Sequence, residues 1–287
     1  MTRTAQPAVS AEPKRGLLRR LYRQHVASRP RLAQALLPSI IFFQFLGRHL
    51  RDFPRQLLTI DLVRFFICLP RYFLFYHLLR RRKFAADITS GVSRNTIMHN
   101  MRGTGELSAP RSHQLLRPIV TIDSVRRNIR SQKILTIGPR VEGEIYNIIG
   151  YGFRGRNVTA LDLFSYSPLI DVGNMHAMDY PDAAFDVLIS GWVLTYSEDM
   201  AGCAREMLRV VKPGGVIAIG NTYSPIDQSG ITNILGYQIG VAEPASNLAA
   251  FERLFGVTPE DCYFRYDGAR DGYHGAPMIS VFRTPGG

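Results

Sequence analysis

Cysteine is scarce: Cys68, Cys203 and Cys262 are the only three in 287 residues. They lie far apart and show no CxxC or Cys/His ligand spacing, so neither a disulfide framework nor a structural metal site is encoded. That usage fits a reducing compartment, and a cytoplasmic location is the expectation. No secretory leader is expected, because the first 30 residues are rich in arginine and lack an apolar core of about 7 to 15 residues; with Glu12 their one acid, they fit an organellar transit peptide or a basic bacterial tail. Nor is there an uninterrupted apolar run of the roughly 20 residues needed to cross a bilayer. Residues 36–46 are too few, and residues 57–79 contain Asp61, Arg64 and Arg71. Each of these would cost about 2.5 to 3.5 kcal/mol near a bilayer centre.

Acidic residues are few in the first third. Residues 1–90 hold 17 Lys or Arg against 4 Asp or Glu, so the net charge of +12 resides there and the remainder is close to neutral. The positive field therefore belongs to one arm. Nucleic acid is disfavoured as its partner, since the cations are interleaved with bulky aliphatics and no RNA or DNA motif is present. Residues 1–15 read as a polar, unstructured start, and residues 16–35 as a basic helix with Leu17, Leu18, Leu21 and Tyr22 on one side.

Within residues 57–79, Asp61, Arg64, Cys68 and Arg71 align as one polar stripe on an otherwise apolar helix, with Pro70 expected to kink or divide it. Arg80, Arg81, Arg82 and Lys83 follow directly. Two readings stay open. Residues 17–83 dock peripherally on an anionic membrane surface, or the helices pack on the second domain with the arginines as a solvated face. The expected organisation is a basic apolar helical arm over residues 1–90, a linker over residues 91–120 and a domain over residues 121–287.

From residue 121 onward, short apolar runs alternate with amphipathic stretches, the pattern of an α/β fold with a doubly wound, mostly parallel Rossmann-like sheet. Strands are expected at residues 133–137, 157–161, 185–190 and 216–220, helices at residues 142–149 and 200–211, and further strands near residues 262–266 and 278–283. Ligands of such sheets sit at the carboxyl ends of the strands, which directs attention to the loops after Ile137, Leu161 and Ser190. Gly138 supplies a turn for close backbone approach, and Asp162, 24 positions on, is placed to accept hydrogen bonds from ribose hydroxyls.

The stretches DVGNMHAMDYPDAAFDVLIS (residues 171–190) and REMLRVVKPGGVIAIG (residues 205–220) resemble those of class I S-adenosylmethionine-dependent methyltransferases, and the second is the more specific match. The resemblance implies a methyltransferase domain with S-adenosylmethionine as cofactor. It places Gly138 in the cofactor loop, Asp162 on the ribose, Leu163 beside the adenine, and Asn174 and Met175 at the adenine amino group and ring. Asn174 would act through its side-chain oxygen. Gly191 would border the methionine part, with Trp192 and Tyr196 as pocket walls.

The glycine-rich loop departs from the family's pattern: Thr136 replaces an acid, and Arg140 and Glu142 replace glycines. Arg140 brings a cation to the cofactor, and Glu142 or Glu144 is expected to offset it or to hold the cofactor's ammonium group. Tyr223 and His274 are candidates for a base or hydrogen-bond partner on the acceptor side. The implied activity is methyl transfer to a small-molecule or amphiphilic acceptor. The alternatives are a non-catalytic binding or scaffold protein on the same fold, and an enzyme using another nucleotide ligand.

Overall fold

The computed structural model describes residues 30–85, 91–197, 199–223, 247–272 and 275–286. The chain forms two compact units, residues 1–54 and 55–287. In the first, the described residues belong to helix α1 (Pro30–Gln56). It exposes Leu37, Ile41, Phe42, Phe43, Phe45, Leu46 and Leu50. Among the described residues, no helix is long and apolar enough to cross a membrane. Residues 1–29, including most of the expected basic helix, lie outside the described residues.

The second unit is built on a seven-stranded sheet. Its strands are β2 (Ile134–Ile137), β3 (Val158–Asp162), β5 (Asp171–Val172), β6 (Phe185–Gly191), β7 (Val211–Thr222), β8 (Cys262–Asp267) and β9 (Pro277–Arg283). The order is β5-β3-β2-β6-β7-β9-β8. The first five strands in this order run parallel, while β9 and β8 join antiparallel, as the methyltransferase resemblance implies. Side chains alternate across the pleat. Leu135, Leu188, Ile217 and Ile219 pack with α7 (Met200–Val210) and α8 (Leu248–Leu254), whereas Ile134, Ile189 and Ala218 pack with α4 (Ser112–Thr121). Both faces are covered, which explains why the central strands read as continuous apolar runs.

The compact unit begins at residue 55, well before the boundary expected near residue 120. Residues 112–120, read as linker, belong to α4, whose Leu115, Leu116 and Ile119 are fully buried against the sheet. The glycines and serines upstream disguised this, because Gly103, Gly105 and Pro110 punctuate the stretch between α3 (Gly91–Gly103) and α4 rather than extending through it. Upstream again, α2 (Asp61–Tyr72) continues into a widened π-helical segment at Phe73–Leu78. Pro70 stays inside α2 and does not divide it. A short strand β1 (Lys83–Phe84) then pairs antiparallel with β4 (Phe164–Ser165), beyond the end of β3.

The polar stripe of α2 faces inward. Arg64 and Cys68 are fully buried, and Arg71 makes a two-point ion pair with buried Glu142 at the start of α6 (Glu142–Tyr151). Two glycines of α6 permit this close packing. A Cβ on Gly143 would lie 2.1 Å from the Leu107 carbonyl oxygen, and one on Gly150 would lie 2.9 Å from backbone atoms of Leu58 and Thr59. Alanine ordinarily stabilises a helix interior relative to glycine by about 1 kcal/mol. Gly143→Ala is instead expected to destabilise the protein, by roughly 2 kcal/mol or more in urea unfolding, because backbone must move to admit the methyl. A gain in stability would show that residues 104–108 do not lie against α6.

Candidate functional site

At the carboxyl ends of β2, β3 and β6, a cleft is lined by Gly138, Arg140, Asp162, Leu163, Asn174 and Met175, together with Asn100, Arg111, His176, Trp192, Val193 and Tyr196. Six of the eight expected cofactor residues thus meet in one place. Gly138 follows β2 with φ of 74°, and a Cβ there would lie 2.2 Å from Val193 Cγ2. Both the left-handed backbone and the packing require glycine. The Gly138 N–H donates to the Leu161 carbonyl at 2.8 Å, tying the turn to β3 just before Asp162.

Asp162 is almost completely buried. Its Oδ1 accepts from the Phe164 backbone N–H at 3.1 Å and from Asn100 Nδ2 at 3.2 Å. Its Oδ2 has no hydrogen-bond partner among the described residues. Desolvation dominates its titration and pushes the carboxyl up to about 7, while the two hydrogen bonds and the Arg140 guanidinium oppose the rise. A buried carboxylate oxygen left unbonded at the edge of a cleft is a receptor for a hydroxyl donor, and this disposition fits a ribose.

Asn174 departs from expectation in which atom it offers. Its Oδ1 accepts from the His176 backbone N–H at 3.0 Å and lies 2.7 Å from His176 Nδ1, which leaves the amide nitrogen for the cleft. His176 Nε2 in turn lies 2.9 Å from Ser197 Oγ, which accepts from the Asp199 N–H. Both ring nitrogens of His176 are thus engaged within the protein. His176 is therefore a brace for the 174–177 turn.

Glu142 does not reach the cleft. Besides Arg71, it accepts from Ser167 Oγ at 2.6 Å, so its charge serves the docking of α2 rather than a ligand. Glu144 pairs with Arg111 at 3.2 Å and shares a small cavity with Thr136 behind the glycine turn. The missing acid at position 136 thus has a carboxylate nearby, already engaged by an arginine. Arg140 lines the cleft, and burial lowers its pKa, with Arg111 adding to the effect.

Gly191 faces away from the cleft. A Cβ there would meet Leu115 Cδ1 at 3.2 Å, and its surroundings are those of the same small cavity. Trp192 and Tyr196 are walls, as expected; Trp192 adopts φ of 57°, an uncommon backbone state for an aromatic residue, held by its N–H to the Gly220 carbonyl at 2.6 Å. Tyr223 lies past the end of β7, with its backbone bonded to Ala276 and Gly275, and is not among the residues lining the cleft. His274 lies outside the described residues.

Asn100 and Arg111 are contributions that sequence reasoning missed. Both come from the stretch read as linker, and neither sits in a motif. Arg111 also lies over the Trp192 ring, 5.9 Å from its centroid.

The comparisons with known proteins fall on this same region. Residues 146–219 match the family model described as Methyltransferase domain. A malonyl-[acyl-carrier protein] O-methyltransferase of Serratia marcescens is 36% identical over 77 residues, covering 22% of this chain and 29% of that protein. The chain therefore spans less than a third of that relative's length. Among solved structures, a SAM-dependent methyltransferase from Aquifex aeolicus is similar at 12% identity and TM-score 0.41, over 64% of this chain and 97% of that one. Another from Methanosarcina mazei gives 13% identity and TM-score 0.40, over 57% and 98%. The resemblance to methyltransferases that the sequence carries holds over these matched residues.

Proposed function

We propose that the second unit transfers a methyl group from S-adenosylmethionine to a small-molecule or amphiphilic acceptor. The observation that carries this reading is the unpartnered, buried Asp162 Oδ2 at the edge of the cleft. It suits a ribose hydroxyl, and the residues around it suit the rest of the cofactor. Leu163 and Met175 offer apolar surface to an adenine, and the Asn174 amide nitrogen offers a donor to a ring nitrogen. Gly138 brings backbone close at the other end. Arg140, the departure from the glycine-rich pattern, lines the cleft and would offer a guanidinium to the methionyl carboxylate.

When bound, the cofactor would supply an electrophilic methyl carbon on a sulfonium: a bond from the acceptor's lone pair to that carbon would form in line as the carbon–sulfur bond breaks and S-adenosylhomocysteine leaves. For that chemistry the protein's task is to hold acceptor and cofactor aligned and to exclude water, which Trp192, Val193 and Tyr196 do as walls. A base is needed only for an acceptor that must lose a proton. The relative's malonyl-acyl-carrier substrate is one acceptor to assay. Peripheral membrane attachment would place an amphiphilic acceptor within reach.

A second reading, a binding protein that retains the fold without turnover, draws support from the bulky Arg140 and from Asn100 already occupying Asp162 Oδ1. Thermal unfolding with added ligand tests the cofactor assignment. S-adenosylhomocysteine at 100 times its Kd should stabilise the native state by about 2.7 kcal/mol. A dinucleotide should do nothing. Stabilisation by the dinucleotide alone would overturn the reading, and binding of both cofactor forms without transfer to any acceptor would favour the non-catalytic alternative.

A further inference from the structure

Helix α2 is amphipathic in the reverse of the usual sense. At 100° per residue, Arg64, Cys68 and Arg71 fall on one side and Leu62, Phe66, Leu69 and Phe73 on the opposite side. The polar side is the buried one. Arg64 is satisfied by the carbonyls of Leu58 and Ser108 and by Asn147, and Arg71 by Glu142. The apolar side is left open: Leu62 is 63% exposed, Phe66 61% and Phe73 63%, with Leu69, Leu78 and Leu79 exposed beyond them. Solvated apolar rows of this length are rare on soluble surfaces unless something covers them.

Charge identifies what does. The row runs directly into Arg80, Arg81, Arg82 and Lys83. Arg81 and Arg82 lie over the rings of Phe75 and Tyr76, so their stems stay against the protein, and Arg81 and Lys83 line a cleft with residues 165–168 and 170–172. Large apolar side chains ending in a cluster of cations are complementary to the acyl chains and headgroups of an anionic bilayer. We propose that the exposed face of residues 62–79, with the cations of residues 80–83, docks the second unit on an anionic lipid surface. The buried polar stripe fixes that face rigidly to the domain that carries the cleft. Of the two readings that the sequence left open, packing on the domain is seen on the polar side of the helix, with Arg64 buried rather than solvated, and lipid docking would use the opposite side. The inference stands apart from the cofactor assignment, because neither the face nor its partner residues line the cleft.

The test uses the full chain in sedimentation with vesicles of phosphatidylcholine alone and of phosphatidylcholine with 30% phosphatidylserine as probes. Two variants are compared with the natural sequence: Phe66→Asp with Phe73→Asp, and the four cations of residues 80–83 changed to glutamine. The expected result is binding to the anionic vesicles that falls at least tenfold in each variant, weak binding to the neutral vesicles, and an unchanged melting temperature, since the altered side chains support no core. Undiminished anionic binding in the Phe66→Asp, Phe73→Asp variant would overturn the proposal, leaving residues 1–29 as the lipid contact. A lowered melting temperature in that variant would overturn it too, by showing that another segment of the chain covers the face. So would a self-associated protein that this variant renders monomeric and that binds no vesicles.

Discussion

Replacing Arg64 by alanine is expected to cost about 3 to 5 kcal/mol of folding free energy, enough to leave a domain of ordinary stability largely unfolded at 37 °C. The side chain is fully buried and is the largest of the fully buried ones. Its guanidinium donates to the Ser108 carbonyl at 3.0 Å, the Leu58 carbonyl at 2.7 Å and Asn147 Oδ1 at 3.2 Å, and it pairs with Asp61. Truncation strands these acceptors and opens a cavity between α2, α4 and α6. Burial lowers the Arg64 pKa, with Asp61 the main opposing influence, so the charge is held at a cost that only a full set of partners offsets. Lysine should recover little, since one ammonium cannot reach partners set around a planar fork. Urea unfolding of the alanine and lysine variants checks this. A loss under 1 kcal/mol would mean that α2 is not an integral part of the second unit.

The second large effect is a change with pH. Asp162 is pushed up to about 7 in the folded protein, against about 3.9 in an unfolded chain. Between these values the unfolded state releases its proton while the native state keeps it, so stability is fully present below about pH 4 and declines as pH rises through 7. About three units correspond to an upper bound of roughly 4 kcal/mol. Asp162→Asn removes that dependence. Relative to the natural protein, the variant should gain about 2 to 4 kcal/mol between pH 4.5 and pH 8.5, measured by urea unfolding. Cofactor affinity moves the other way. Ionised Oδ2 is the better acceptor for a ribose hydroxyl, so affinity for S-adenosylhomocysteine in the natural protein should rise as pH passes through 7. Parallel pH curves for the two proteins would show that Asp162 ionises as an ordinary surface carboxylate.

The sheet was legible in the sequence because its signals are local. Apolar runs bounded by glycine turns located β2, β3, β6 and β7 to within a few residues, and Gly138 and Asp162 followed from their places at strand ends. Glu142 and Gly191 were placed by analogy with the family. The structure turns them elsewhere because Arg71, some 70 residues upstream in the chain, claims the first, and Leu115 packs over the second. Neither partner is visible without the tertiary fold.

Helix α2 shows a different limit. Periodicity revealed its two sides, but the choice of inner side normally rests on polar residues facing water. Here the domain offers Glu142, Asn147 and two backbone carbonyls as a polar socket, and the rule inverts. Asn100 and Arg111 reach the cleft for the same reason, from segments whose composition resembles a linker. Asn174 lines the cleft, yet the oxygen it was expected to offer is held by His176.

The central claim is that the cleft around Asp162 is a working S-adenosylmethionine site. Isothermal titration of the full chain with S-adenosylmethionine and S-adenosylhomocysteine, beside the Asp162→Ala variant, tests it most directly. Saturable binding of both ligands by the natural protein, weakened at least a hundredfold in a variant that remains folded, is the result predicted here. A folded natural protein that binds neither ligand, or a variant that binds both as tightly, would contradict it.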